Sequence, residues 1–311
     1  MSVRGLFTFG ESLAAFSTTS GKLRHAGTVD VGIAGSEAMV AIGVARLGIA
    51  SAWAGRVGAD EPGALILARL RDEGVDTSAA TTDQEAPTGL VIRDFRTRDS
   101  TRAAYYRHAS AAARLCPEDI AEDRIREAGV LHVTGSTAGL SDTAAKTVFT
   151  AIEIARADDV TVSLDLGYRH APWSPEEARD VLRDLVTQAD IVFAGDDEAR
   201  LLGFAGTAEE LAESLAALGP EEVIVTLGPR GAVAELHGAR YDVPRYPVRA
   251  VDAEGADEAF VAGYLADHLT GAPPERRVRT AAACRALALS VAGDWDGLPD
   301  REELIQLARP R

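Results

Sequence analysis

Two glycine-bearing turns in this sequence have the composition of ligand-binding loops. Gly35 and Ser36 lead into a helix-like stretch, where free backbone N–H groups can face a ligand oxygen. Thr226, Gly228 and Gly231 follow an apolar strand candidate, and such a glycine-rich turn allows a nucleotide to approach the backbone closely. Each turn also has a purely structural interpretation, because Ser36 can cap its helix and the two glycines suit any hairpin turn.

A third turn, Gly255-Ala256-Asp257-Glu258, places two carboxylates at the start of an apolar helix. A carboxylate in that position can act as a general base beside an anion-binding helix terminus. Acidic residues in a first helical turn can equally do no more than complement the helix dipole. Taken singly, the turn therefore leaves a catalytic and a structural interpretation open.

Other common catalytic and nucleotide-binding motifs are absent from the sequence. There is no Gly-x-x-x-x-Gly-Lys-Ser/Thr loop, and neither Lys22 nor Lys146 lies in a glycine-rich context. There is no Gly-x-Ser-x-Gly nucleophile turn, and the six histidines lack the spacing of metal ligands. These absences disfavour a P-loop enzyme, a serine hydrolase of this type and a histidine-based metal centre.

Composition limits the class of protein and its partners. The 311 residues are 46% hydrophobic and 26% charged, an ordinary globular balance. The 32 basic and 48 acidic residues give a net charge of −16, so we expect neither a nucleic-acid partner nor binding to anionic lipid. No apolar run reaches the roughly 18 residues of a membrane span. Two distant cysteines, Cys116 and Cys284, favour a reduced, cytoplasmic location.

The turns must be positioned by a repeated alternation of strands and helices. Apolar strand candidates cover residues 129–134, 160–166, 190–194 and 222–227. Helix-like stretches follow in between, at residues 142–156, 175–187 and 208–218. Continuous apolar strands separated by helices predict an α/β fold with a parallel sheet covered on both faces. Ligands of such sheets bind at the carboxyl ends of the strands.

Two segments interrupt this alternation. Residues 12–32 and 87–108 are rich in Thr, Arg and β-branched residues, and their polarity roughly alternates. We expect them to form strands outside the main sheet, as a small flap on one domain that spans residues 1–311.

Together and in this order, the turns resemble the signatures of the ribokinase-like, phosphofructokinase-B (PfkB) family of carbohydrate kinases. The resemblance covers essentially the whole chain and includes residues 35–38, 45–48, 57–63, 73–76, 87–89, 165–169 and 252–260. Tyr105, Tyr106 and Arg107 make the chain most similar to the 2-keto-3-deoxygluconate kinases of that family. The resemblance implies a three-layer αβα sandwich with a mostly parallel sheet, a small β lid, and a homodimer formed through that lid.

The resemblance also implies roles for individual residues. Glu258 takes the position of the catalytic base, and Asp257 lies beside it in the catalytic turn. ATP is expected near Thr226, Gly228, Gly231, Gly255 and Ala256, and Mg²⁺ near Glu198. The sugar is expected to contact Gly35, Ser36, Met39, Tyr105, Arg107, Asp165 and Arg169. An arginine fork suits an acidic sugar because it can bind a carboxylate through two hydrogen bonds.

The sequence departs from the family pattern at five positions near the expected reaction centre. The family turn Gly-Ala-Gly-Asp is replaced by a turn with Asp257 and Glu258, and family asparagines are replaced by Met39, Gly167 and Gly195. The expected result is that both carboxylates project into the cleft and that Asp257 repels ATP phosphates. A one-residue shift would instead make Asp257 the base, although the spacing to the following residues favours Glu258.

Two functions therefore remain open at the level of sequence. The first is an ATP-dependent sugar kinase that transfers a phosphoryl group to a hydroxyl of a small, keto-deoxy acid sugar. The second is an impaired or repurposed family member that binds a sugar or nucleoside without efficient phosphoryl transfer.

Overall fold

The computed structural model describes residues 4–97, 100–168, 173–243 and 245–307. Its strands are β1 Leu6–Phe9, β2 Leu13–Ser17, β3 Asp30–Ala34, β4 Ser51–Ala54, β5 Arg56–Gly58, β6 Thr81–Asp83, β7 Leu90–Thr97, β8 Ser100–Tyr106, β9 Val130–Thr134, β10 Thr161–Asp165, β11 Ile191–Gly195, β12 Glu222–Thr226, β13 Ala232–Leu236 and β14 Ala239–Val243. Its α-helices are α1 Ser36–Arg46, α2 Glu61–Asp72, α3 Glu122–Glu127, α4 Gly135–Ala138, α5 Asp142–Ala157, α6 Pro175–Val186, α7 Asp196–Leu201, α8 Ala208–Ala216, α9 Ala256–Leu269, α10 Pro274–Ala288 and α11 Arg301–Leu307.

The main sheet has eight strands in the order β14-β13-β12-β11-β10-β9-β1-β4. The six strands from β12 to β4 are mutually parallel, and β13 and β14 add an antiparallel edge. The predicted strands at residues 129–134, 160–166, 190–194 and 222–227 correspond to β9, β10, β11 and β12. Their apolar character is continuous because helices cover both faces of the sheet.

Helices on the two faces of this sheet enclose two apolar cores. On one face, side chains of α3, α5, α6 and α8 pack against residues such as Leu131 and Val162. On the other face, α1, α9 and α10 cover Ile191, Phe193 and Ile224, and the Phe193 ring meets the Tyr264 ring edge-on at 5.4 Å. The predicted three-layer α/β architecture is confirmed. Within the described part of the chain, no helix has the length and apolar character of a transmembrane segment.

A second sheet of four strands has the order β3-β2-β7-β8. Its strands correspond to the predicted segments 12–32 and 87–108, except that β3 continues to Ala34, and β2 pairs parallel to β7. Leu13, Ala15, Ala34 and Val91 form a small buried core along this sheet. The second sheet thereby places one of its faces opposite the start of α1.

Candidate active site

A cavity of about 280 Å³ lies where the second sheet faces the first residues of α1 and α9. The predicted site residues that line it are Gly35, Ser36, Met39, Tyr105, Arg107, Gly255, Asp257 and Glu258. These residues come from three distant parts of the sequence. Their order along the chain was known from the sequence, but their proximity is a result of the fold. The cavity therefore contains the residues predicted for the substrate and for the catalytic turn.

The first residues of α1 and α9 are joined by a hydrogen bond in this cavity. Ser36 Oγ donates to Glu258 Oε1 at 2.9 Å. Close packing of the two helices makes the contact possible, because a Cβ on Gly43 of α1 would lie only 2.6 Å from Ala262 Cβ of α9. Ser36 is the first residue of α1 and Gly35 is its N-cap, so the hydroxyl orients Glu258 instead of capping the helix.

The N-cap of both helices is a glycine, which has no side chain to cap the N–H groups of the first turn. Gly35 and Gly255 have positive φ angles of 133° and 70°, and neither helix has a side-chain cap. In contrast, α5, α6 and α8 are capped by Ser or Thr side chains. At Gly255 a Cβ would lie 1.8 Å from the Asp294 carbonyl oxygen, so only glycine fits. The N-terminus of α9 therefore offers its backbone donors to an anion.

Asp257 lies at the rim of the cavity and is paired with a cation. Its side chain is 62% exposed, and its Oδ1 lies 2.8 Å from Arg285 Nη1 of α10. The contact is an ion pair without the alignment of a hydrogen bond. The sequence predicted the Asp257 carboxylate in the cleft but did not reveal this counter-charge.

A buried carboxylate adjoins the arginine predicted to bind the substrate. Glu11 Oε2 lies 2.5 Å from Arg107 Nη2, and Ser110 Oγ donates to Glu11 Oε1 at 3.3 Å. Burial raises the pKa of Glu11 from 4.5 to about 7, although Arg107 acts in the opposite direction. Near neutral pH, a large share of Glu11 is therefore protonated and leaves the Arg107 charge available.

Glu37 is a second buried carboxylate at the base of the cavity. Its Oε1 accepts hydrogen bonds from Thr134 Oγ1 at 2.6 Å and Thr137 Oγ1 at 2.5 Å. Burial raises its pKa. These bonds tie the start of α1 to the end of β9 and to α4, and they support the position of Ser36.

Arg93 and Asp294 form a charged bridge across the cavity that the sequence did not reveal. Arg93 of β7 contacts the Asp294 carboxylate, and its Nη2 lies 3.4 Å from Glu254 Oε2. Burial raises the pKa of Asp294 to about 6, while Arg93 opposes that shift. The alternating pattern of β7 indicated a strand only, and Asp294 belongs to no motif, so neither residue carried a recognisable signal.

The turn predicted for the nucleotide connects β12 to β13 and lies outside the lining of the 280 Å³ cavity. Gly228 and Gly231 have φ angles of 56° and 99°, and a Cβ on Gly231 would lie 2.2 Å from the Val243 carbonyl oxygen. Thr226 Oγ1 donates to the Ala194 carbonyl at 3.4 Å, which links the ends of β12 and β11. Ala256 is buried in the first turn of α9.

Glu198 organises the ends of two neighbouring strands. Its Oε1 accepts the Tyr168 N–H at 2.6 Å, and its Oε2 accepts the Gly195 N–H at 2.7 Å.

Two further residues predicted to contact the sugar do not line the cavity as described. Asp165 is the last residue of β10 and is not part of the cavity lining, while Arg169 lies outside the described residues. Among the described residues, no three His, Cys, Asp or Glu side chains form a group that could hold a metal.

Comparison with known proteins identifies relatives over the whole length of the chain. The model of the family described as "pfkB family carbohydrate kinase" matches residues 4–301. A 2-dehydro-3-deoxygluconokinase of Bacillus subtilis (strain 168) is 36% identical over 308 residues, covering 96% of this chain and 93% of the relative.

Solved structures show the same architecture. A PfkB protein from Polaromonas sp. JS666 is 33% identical, with a TM-score of 0.89 over 97% of this chain and 99% of that one. A putative ribokinase II from E. coli in complex with ATP and Mg²⁺ is 25% identical, with a TM-score of 0.91 over 99% of both chains. On sequence and architecture together, the chain belongs to the pfkB family of carbohydrate kinases.

Proposed function

We propose that this protein uses ATP to phosphorylate a hydroxyl group of a 2-keto-3-deoxy sugar acid. The observation that carries the proposal is the position of Glu258 at the start of α9, opposite Arg107 in one cavity. Arg107 supplies a cation for the carboxylate of an acidic sugar, and Tyr105 lies beside it, with its ring centroid 5.8 Å from the Arg107 guanidinium carbon. The 36% identical B. subtilis relative is named for a substrate of this class.

In this reaction Glu258 acts as the general base. Its carboxylate accepts the proton of the sugar hydroxyl while the hydroxyl oxygen forms a bond to the γ-phosphorus of ATP and ADP departs. The hydrogen bond from Ser36 keeps one carboxylate oxygen in a fixed orientation. N–H groups in the first turn of α9, which has no side-chain cap at Gly255, stabilise the negative charge of the phosphoryl group during transfer.

The sugar lies between the second sheet and the start of α1. Gly35, Ser36 and Met39 contact it from α1, while Tyr105 and Arg107 contact it from the second sheet. Asp165 supports the pocket from the end of β10, and Arg169 adds a second cation. These assignments follow the family pattern, and five of these residues line one cavity.

The nucleotide and its metal occupy the neighbouring strand ends. Thr226, Gly228 and Gly231 bind ATP. The positive φ angles of both glycines favour a residue without a Cβ, and the missing side chains leave this backbone open to the nucleotide. Bound Mg²⁺ would neutralise phosphate charge, and this ion usually binds through one or two carboxylates together with phosphates and water. Glu198 suits that role because both of its oxygens are already held by backbone N–H groups.

No observation on the described residues favours the alternative of a family member without phosphoryl transfer. Glu258 lines the cavity and is oriented by Ser36, although it is longer than the family aspartate. The Asp257 carboxylate has its own counter-ion in Arg285. The altered turn therefore retains a base and has a local compensation for its extra charge.

We also propose that two copies associate through the second sheet. Register places Phe16, Val31, Leu90, Ile92 and Tyr106 on the face opposite Tyr105 and Arg93. All five are partly or largely exposed, and Tyr106 is 61% exposed. An apolar sheet face of this kind favours a symmetric contact with a second copy.

Because Cys116 and Cys284 are free thiols, we further propose a reducing, cytoplasmic location.

The test is ADP release by the purified protein with ATP, Mg²⁺ and a panel of sugars. The panel contains 2-keto-3-deoxygluconate, 2-keto-3-deoxygalactonate, fructose and ribose. The proposal predicts turnover with an acidic keto-deoxy sugar at about 1–100 s⁻¹ and much weaker turnover with the neutral sugars. Preference for a neutral sugar would refute the substrate class, and no turnover with any sugar would refute the kinase assignment.

A further inference from the structure

Three carboxylates of the cavity contact two arginines. Glu11 pairs with Arg107, and both Glu254 and Asp294 pair with Arg93. Asp257 adds a further negative charge at the start of α9, where the phosphates of ATP are proposed to bind. Its counter-charge comes from a different direction, from α10 behind the turn.

Arg285 is held in place by its surroundings. Its side chain is 17% exposed, and the Nη1 atom that faces Asp257 is buried. α10 packs along α9, and a Cβ on Gly263 of α9 would lie 2.7 Å from Cys284 Sγ of α10. This close contact beside Arg285 fixes the guanidinium near the second residue of α9.

We infer that Arg285 is a positioning residue that makes the Asp257-containing turn compatible with a nucleotide. The inference rests on the proposed kinase function. The guanidinium draws the Asp257 carboxylate to the rim of the cavity and offsets its charge, so the α9 N–H groups still present a net attraction to phosphate. Without Arg285 the carboxylate is an uncompensated like charge beside an anion-binding helix terminus.

A double-mutant cycle that neutralises each charge, with a fourth variant as control, tests the inference. Arg285→Gln removes the cation and keeps a polar side chain, Asp257→Asn removes the anion at similar size, and the double variant removes both. Arg279→Gln is the matched control, because Arg279 is an exposed arginine on the same helix. Isothermal titration measures the Kd of ADP with Mg²⁺, which requires no turnover, and thermal unfolding checks that each variant folds.

Arg285→Gln is expected to weaken ADP binding about tenfold, which corresponds to about 1.4 kcal/mol. Asp257→Asn in that background should restore the Kd to within about threefold of the unmodified protein. Arg279→Gln should leave the Kd unchanged. The weakening in Arg285→Gln should also shrink as salt increases, because added ions screen an uncompensated charge more than they alter packing.

Unchanged ADP binding in Arg285→Gln would overturn the inference. A defect that Asp257→Asn does not relieve would also overturn it, and would indicate that Arg285 acts through packing. If Arg285→Gln does not fold, Asp257→Asn alone is decisive: it should bind ADP at least as tightly as the unmodified protein, and weaker binding refutes the idea. An unmodified protein that binds no ADP would instead count against the proposed function, so the two failures are distinguishable.

Discussion

The cavity combines acids and bases whose protonation is set by burial. Glu11 is the clearest case, since burial raises its pKa to about 7 even with Arg107 at 2.5 Å. A neutral Glu11 leaves the Arg107 cation available to an acidic sugar, whereas an ionised Glu11 competes for it. The pH of the medium therefore changes how strongly Glu11 competes for Arg107, the arginine proposed to bind the substrate.

Replacing Glu11 with Gln should alter the pH dependence of stability. The folded protein retains a proton on Glu11 that the unfolded chain releases between pH 4.5 and about 7, so the unmodified protein loses stability as pH rises through that window. The Glu11→Gln variant lacks this loss. Its unfolding free energy, measured relative to that of the unmodified protein, should therefore rise by roughly 3 kcal/mol between the lower and the higher pH. Denaturant unfolding at pH 4.5 and pH 8 measures it. A difference that does not change with pH would contradict the raised pKa of Glu11.

The turn around Glu258 was predicted from its sequence pattern, but the charges around it were not. Ser36 and Glu258 belong to glycine-bearing turns, and these turns have recognisable composition. Arg93, Asp294 and Arg285 reach the site through strand register, a loop and a neighbouring helix. Their positions depend on tertiary packing between distant segments, so no local pattern in the sequence reveals them.

At the scale of elements, the contact between α1 and α9 determines where Glu258, the proposed base, lies. Gly43 allows the two helices to approach closely, and the hydrogen bond from Ser36 to Glu258 depends on that approach. The periodic patterns predicted these elements well: the helix expected at residues 142–156 is observed at Asp142–Ala157, and the strand expected at 190–194 at Ile191–Gly195. The separation of the helices depends on tertiary packing, and the local pattern contains no information about it.

Gly43→Ala should therefore impair both stability and activity. The new Cβ would meet Ala262 Cβ at 2.6 Å and force the helices apart, at a cost of about 1–3 kcal/mol that outweighs the helix propensity of alanine, worth about 1 kcal/mol. We expect a lower unfolding temperature and a several-fold lower kcat, because Glu258 loses its orientation. Gly27→Ala is the control, since no atom lies within 4 Å of that Cβ. Equal behaviour of the two variants would show that the helix contact is unimportant.

At the scale of the whole molecule, the second sheet has two different faces. One face lines the cavity through Arg93 and Tyr105, and the other presents partly exposed apolar residues. The alternating pattern of residues 87–108 predicted strands here, but the pairing of β2 with β7 joins distant segments and could not be derived from local pattern. Two copies joined through the apolar face would hold both sheets over their cavities.

Tyr106→Glu should disrupt that association. A charge in the apolar face opposes its burial, so light scattering after gel filtration should show a dimer for the unmodified protein and a monomer for the variant. Ile305→Glu is the control, because Ile305 is 58% exposed on α11. An unmodified protein that is monomeric at micromolar concentration would contradict the proposed dimer.

The most direct test of the account compares kcat of the unmodified protein and Glu258→Gln, with 2-keto-3-deoxygluconate, ATP and Mg²⁺. Gln keeps the size of the side chain but cannot accept the hydroxyl proton, so kcat should fall about 10²–10⁴-fold. The Kd of ADP should stay within a few-fold of the unmodified value. A variant that retains ordinary turnover would show that another group removes the proton, and the assignment of Glu258 as the base would be wrong.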